Sequence, residues 1–342
     1  MGIFHRLIRH AFLALSIGAI VIGIKACSPP ASNQTTAPSS PVAMSPGESM
    51  AMGKPKININ SAILSELDKL EAALGVPALS NKIQASRPYG SIEDLVSKKV
   101  ISQVQFDQIQ NQVTIEEVVL TGEAKDVDYM TKLALMKGHM LVAGELLALK
   151  KPDQAEPHIG HPVEEIYVDL EEQFQERKVE DFKGVLTQLQ DLVKSKPNDP
   201  QLKTLYDQAM KAIDQAIATL PETQRQSANF SLQVINGLLE TATAEYTAAI
   251  SNGKISAPIE YQDSRGFVAY AQDTVYKSIA DQVKKADPKA NDQIVTSFMG
   301  LRKAWTSPVP PVTPVLTADQ VAAKVKQIEM SSAPVMQASI AK

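Results

Sequence analysis

At 342 residues the chain has room for two ordinary domains and a leader, and its single cysteine, Cys27, excludes an intrachain disulfide or a multi-cysteine metal centre. Apolar residues at 44% and charged residues at 21% suit a soluble globular chain, and the low aromatic content of 5% favours helix over sheet. A formal net charge of -4 offers no general attraction to nucleic acid or anionic lipid.

Residues 1–27 read as an export signal. Arg6 and Arg9 precede an apolar run from Ala11 to Ile24, which is short for a membrane span and suits a signal-peptide core. The run ends in Ile24-Lys25-Ala26-Cys27, which resembles the lipobox of bacterial lipoproteins, with Lys25 standing where that family has a small residue. The resemblance implies that Cys27 is lipidated and anchors the chain to a membrane. An uncleaved anchor and a buried core cysteine are the other readings of the same residue. Residues 28–55, rich in Ser, Pro, Ala, Thr and Met, carry no apolar period and read as a flexible tether. The remainder is expected outside the cytoplasm, in a periplasm or thylakoid lumen, and attached to the membrane.

A small helical module is expected over residues 56–116. Ser61 is placed to cap a helix with Leu64, Leu67, Leu70 and Leu74 on one face; Gly75-Val76-Pro77 turns the chain; a second helix carries Leu79 and Ile83. Ser91 is placed to cap a third helix, with Asp94 at its third position. The runs Ile57-Asn58-Ile59-Asn60-x-Ala62 and Pro88-Tyr89-x-Ser91-Ile92-Glu93-Asp94-Leu95 resemble the tandem helix-hairpin-helix domain of ComEA-type competence proteins and of PsbU, an extrinsic photosystem II subunit. The resemblance implies either DNA binding, through residues such as Gly75, Lys98 and Lys99, or docking on a protein. DNA-binding members hold phosphate with backbone N–H groups in glycine-rich hairpins. Here Pro77 follows where the first hairpin would carry a second glycine, and Lys99-Val100-Ile101-Ser102 has none. Seven basic and seven acidic residues make residues 54–116 neutral. Docking on a protein partner is therefore expected ahead of nucleic-acid binding, which needs several phosphate contacts to survive physiological salt.

From residue 120 to 306 the pattern is that of successive amphipathic helices, so the fold class expected is all-α: a small tandem helix-hairpin-helix module followed by an antiparallel helical bundle. One long helix runs from about Asp126 to Lys150 and stops at Lys151-Pro152; the next is expected to start at Pro162, with a loop over Pro157–Pro162 between them. Further helices are expected over residues 181–195, 201–219, 223–250, 260–285 and 289–304. Residues 307–342 read as a proline-rich strap followed by a last helix, capped by Thr317 and apolar at Val321, Val325 and Ile328.

Outside the leader the chain has only three histidines, His139, His158 and His161, gathered in one short stretch with Glu164 and Glu165 close behind. His139 shares a helix face with Leu135, Val142 and Leu146 and so points to the core, where both ring nitrogens need partners. Imidazole and carboxylate are ligands that suit iron, zinc or manganese. His139, His158, His161, Glu164 and Glu165, joined by Glu245 and Glu260, make the candidate metal set, with ligand atoms expected about 3–4 Å apart. Ordinary capping and core hydrogen bonding account for the same residues singly. The run Glu245-Tyr246, Gly253-Lys254, Glu260-Tyr261-Gln262-Asp263 resembles, faintly, extracytoplasmic helical domains of iron permeases and imelysin-type proteins, which implies iron-related work. No P-loop, Gly-x-Ser-x-Gly, His-Glu-x-x-His or haem-attachment motif is present, so the chain reads as a non-catalytic binding protein. A metal-free assembly protein of a membrane complex and a competence-type DNA receptor are the alternatives.

Overall fold

The computed structural model describes residues 56–116 and 120–340; the leader, the tether and Cys27 lie outside them. The N-terminal module holds four helices: α1 (Leu64–Leu74), α2 (Leu79–Ala85), α3 (Asp94–Ser97) and α4 (Gln103–Ile109). Two short strands, β1 (Ile57–Asn58) and β2 (Val113–Thr114), pair in parallel and tie its ends together. Ile59, Leu67, Leu70, Leu79, Leu95 and Ile109 are fully buried in a core of its own.

Neither expected serine cap forms. Asn58 O accepts from Ser61 N and Ala62 N, so the chain is still turning at Ser61, and α1 starts at Leu64. Its first N–H donates instead to Glu165 Oε2 at 3.1 Å, a carboxylate that lies far along the chain. The positive end of the helix is thus met by a carboxyl oxygen from the bundle. At α3 the Asp94 side chain reaches back and accepts from Gly90 N and Ser91 N, and no side chain caps the helix itself.

The second domain is built around α5 (Gly122–Ala148), which is longer at its start than expected. After α6 (Pro152–Ala155), α7 (Pro157–His161) runs through a π-helical turn at Pro162–Ile166 into α8 (Tyr167–Glu176). The expected loop is therefore helix, and Pro162 does not open a new one. Proline has no N–H to return to the preceding turn, and a widened π turn accommodates it without ending the helix. Next come α9 (Lys183–Ser195), α10 (Gln201–Ile217), α11 (Glu222–Arg225) and α12 (Ala228–Ala248).

A hairpin of β3 (Ile250–Ser251) and β4 (Lys254–Ile255) follows, turning at Asn252 and Gly253, both with positive φ. Then α13 (Pro258–Tyr270) leads through a second π turn, Ala271–Tyr276, into α14 (Lys277–Ala286) and α15 (Pro288–Leu301). The strap crosses back, with Ile255 N donating to Val312 O, and α16 (Ala318–Ile340) packs along α12 and α15. Thr317 and Gln320 cap α16 reciprocally, and Val321 and Ile328 are fully buried. The architecture is all-α, its strands confined to these two short pairs among the described residues. No described helix is long and apolar enough to cross a membrane.

A close helix crossing sets up the candidate site. At Gly138 of α5 and Gly266 of α13 the backbones touch: a Cβ built on Gly266 would lie 2.1 Å from Gly138 O. Only glycine at both positions allows this approach. The crossing is clamped by a bidentate ion pair from Arg265 to Glu145, at 2.6 and 2.8 Å.

Candidate metal centre

His139 sits beside Gly138 on α5, and Asp263 lies one turn before Gly266 on α13. The glycine contact therefore brings the two side chains together. His139 Nδ1 lies 2.6 Å from Asp263 Oδ1, and His158 Nδ1, from α7, lies 2.6 Å from the same oxygen. All three residues are buried, and their ligand atoms fall within 4.8 Å of one another. His161 follows on the same face of α7, its Nδ1 at 3.5 Å from Asp263 Oδ2 and its ring edge-on to His139 at a centroid distance of 5.2 Å. It is the partly exposed member, with 29% of its side chain open.

The partners of the outer nitrogens differ. His158 Nε2 lies 2.9 Å from Gln262 Oε1. Gln262 is held in place because its Nε2 donates to Gln154 Oε1 and to Pro308 O of the strap. That leaves the oxygen for His158, which fixes a proton on His158 Nε2. His139 Nε2 is buried with no hydrogen-bond partner, and the His139 ring stands perpendicular to Phe267. An orphaned nitrogen of this kind costs stability unless something else occupies it.

The separation of 2.6 Å is shorter than the 3–4 Å expected between ligands of one ion. Such contacts are charge-assisted hydrogen bonds with a proton between each nitrogen and the oxygen. Burial favours the neutral form of Asp263, but the charges and hydrogen bonds of His139 and His158 outweigh it and hold the carboxyl well below the usual range. Burial pushes His139 down, against Asp263. Burial also opposes charge on His161, yet the hydrogen bond and charge of Asp263, with Glu165 and Glu260, raise it to about 9.

The expected glutamates do not join this group. Glu164 is exposed and accepts from Gln190 Nε2 at 3.2 Å, on the outer face of the π turn. Glu165 caps α1, and burial raises its pKa. Glu260 lies on the first turn of α13, with its pKa also raised by burial. Glu245 is buried on α12, and burial, with the charge of Asp68 next in weight, raises its pKa well above the usual range. Glu260 interacts with His161 through its charge but supplies no atom to the group, whereas Asp263, one turn further into α13, lies near Gly266, which packs on Gly138. The Asp263-x-x-Gly266 spacing, an acid in line with a glycine on one helix face, is the signal that could have found it.

In the N-terminal module the anion-attracting N–H groups of the first hairpin are occupied. Glu71 Oε1 accepts from Ala78 N, and Glu71 Oε2 accepts from Ser80 N and Ser80 Oγ. Gly75 caps α1 in the left-handed conformation. Lys98 donates to Ser86 O and Pro88 O and lies over the Tyr89 ring, while Lys99 takes positive φ in the second hairpin.

A family model described as the iron permease-associated 4-helix bundle domain matches residues 221–339. The match covers less than half of the chain. It contains Asp263 and Gln262 but neither the three histidines nor the N-terminal module. It also runs further in both directions than the Glu245–Asp263 run. No curated protein matches the chain, and no solved structure matches it.

Proposed function

We propose that this protein is a non-catalytic, membrane-tethered metal-binding protein of the cell envelope, with iron the first candidate and zinc and manganese behind it. His139, His158 and Asp263 would hold the ion, with His161 at the open edge. One observation carries the reading: two buried imidazoles converge on one buried carboxylate oxygen while a third buried nitrogen, His139 Nε2, is left without a partner. The mixed nitrogen and oxygen donor set suits these metals. The iron-permease association of the matched domain favours iron among them.

Taking up a cation requires release of the protons now shared between the imidazoles and Asp263, so affinity should rise with pH. The chain's own residues prepare the site: Gln262, fixed by the strap, orients His158, and the Gly138–Gly266 contact sets the distance from α5 to α13. Elemental analysis of the purified soluble chain, after exposure to Fe2+, Zn2+ or Mn2+ and desalting, tests the reading. Near-stoichiometric metal in the native chain and none in His139→Ala is the expected outcome. An absence of retained metal in the native chain would leave the histidines as a structural hydrogen-bond network, a reading that the full pairing of His158 favours.

The N-terminal module is assigned to protein contact in this proposal. Its neutral charge and the occupation of the first hairpin by Glu71 support that role over nucleic-acid binding.

A further inference from the structure

Asp263 meets the histidines, while its neighbours on α13, two on either side, are all bonded to the strap or to the turn that opens it. Tyr261 Oη donates to Ser307 O at 3.2 Å, and Gln262 Nε2 donates to Pro308 O at 3.0 Å. Ser264 Oγ accepts from Trp305 Nε1 at 2.8 Å, and Arg265 Nη1 donates to Trp305 O at 2.9 Å. Further along, Val312 O accepts from Ile255 N and Leu316 O from Tyr246 Oη. The sequence prepares this role. Pro308, Pro310, Pro311 and Pro314 have no N–H, so the strap cannot bond to itself as a helix does, and its carbonyl oxygens stay open to other partners.

One of these bonds reaches the metal centre. Gln262 is buried, and its side-chain amide could face either way. Pro308 O can only accept, so the nitrogen of the Gln262 amide must face it, and Oε1 is the end that meets His158 Nε2 at 2.9 Å. The second amide hydrogen goes to Gln154 Oε1 at 3.1 Å. His158 Nε2 is then the donor, and Nδ1, 2.6 Å from Asp263 Oδ1, is the nitrogen left for an ion. His139 has no such partner on its Nε2.

We propose that Gln262 is a positioning residue of the metal centre, which commits His158 to meet the ion through Nδ1 and is itself held in that orientation by the strap. The proposal rests on the metal-binding reading above. A hydrogen-bond partner on the second nitrogen of a ligating histidine fixes its tautomer and ring plane, and losing it typically costs about 10–100-fold in metal affinity. Here that partner is set by a backbone carbonyl 46 residues along the chain, so the strap is a remote determinant of affinity. Loosening the strap lets the amide turn, and a turned amide brings an N–H against a nitrogen that already carries a proton. The strap reaches only one of the two buried imidazoles, so His158 and His139 are not equivalent ligands.

Two measurements on the full chain test this. In the first, the chain is isotope-labelled at the histidine nitrogens and stripped of metal with chelator. Nitrogen spectra should show a proton on His158 Nε2 in the native chain, assigned by its absence in His158→Ala. In Gln262→Leu that proton should exchange with water about tenfold faster, since the bond that held it is gone. Pro308→Gly keeps the carbonyl oxygen and every side chain of the site but loosens the strap, so exchange should rise by a smaller factor. The second measurement is Zn2+ affinity by competition with a chelating dye. It should fall about 10–100-fold in Gln262→Leu and by less in Pro308→Gly. A native His158 Nε2 without a proton overturns the proposal, as does an exchange rate or a Zn2+ affinity that folded Gln262→Leu leaves unchanged. Native values in Pro308→Gly overturn the strap's part in it. A native chain that binds no Zn2+ instead brings down the metal reading, and the proton measurement still decides whether Gln262 governs His158.

Discussion

Asp263 is the residue on which the candidate site depends. It receives both short imidazole contacts while lying 2% exposed. Asp263→Asn keeps the size but removes the charge, leaving two buried imidazoles facing an amide. Removing one partner of a buried ionic network typically costs about 3–5 kcal/mol. The expected outcome is a drop of about that size in the metal-free chain, measured by chemical denaturation, together with loss of retained metal. Unchanged stability would mean that the two contacts contribute nothing. At this scale the sequence was partly legible. The gathering of three histidines and the inward direction of His139 could be read from spacing alone. Asp263 could not, because its meeting with His139 depends on two helices packing far apart in the chain, which periodicity does not report. The glutamates near His161 in sequence find other partners in space: Glu164 accepts from Gln190 and Glu165 from Leu64 N.

Helices were the legible elements, since a period near 3.6 recurs across most of residues 120–306 and the breaks fall at Pro and Gly. Their ends were less so. Pro162 reads as a start, but the preceding residues were already helical and the π turn absorbs the missing donor. Strand pairs of two residues are too short to show alternation. The crossing of α5 and α13 is the element-scale feature open to test. A Cβ at Gly138 would meet Phe267 Cδ1 at 2.6 Å and Gly266 C at 3.0 Å, so Gly138→Ala must push the helices apart. Overpacking of this kind costs about 1–3 kcal/mol. Gly184→Ala, where the added Cβ meets nothing within 4 Å, is the matched control and should stabilise slightly. Thermal melts of both variants should separate in that order, and Gly138→Ala alone should weaken metal retention. Equal melts would show that the glycine contact sets no distance.

At the scale of the whole molecule the chain orders an expected anchor, an expected tether, the N-terminal module and the bundle. Cys27 belongs to that scale, because it decides where everything else resides. Cys27→Ser should shift the protein to the soluble envelope fraction or leave an unprocessed precursor, as read by fractionation and blotting. A processed chain that stays with the membrane would remove lipidation from the account. The all-α class was legible from composition and period; the contact of the N-terminal module with the bundle was not, since α1 packs on α12 far along the chain, which periodicity does not report. Finally, the contacts of Asp263 with His139 and His158 join points 124 and 105 residues apart along the chain. In polymer terms they close long loops, whose entropy is lost before the contact returns anything. Local helices can form early, but these bonds wait for α13 to come back to α5. Contacts that form late in folding act as a brake on unfolding rather than a guide to folding.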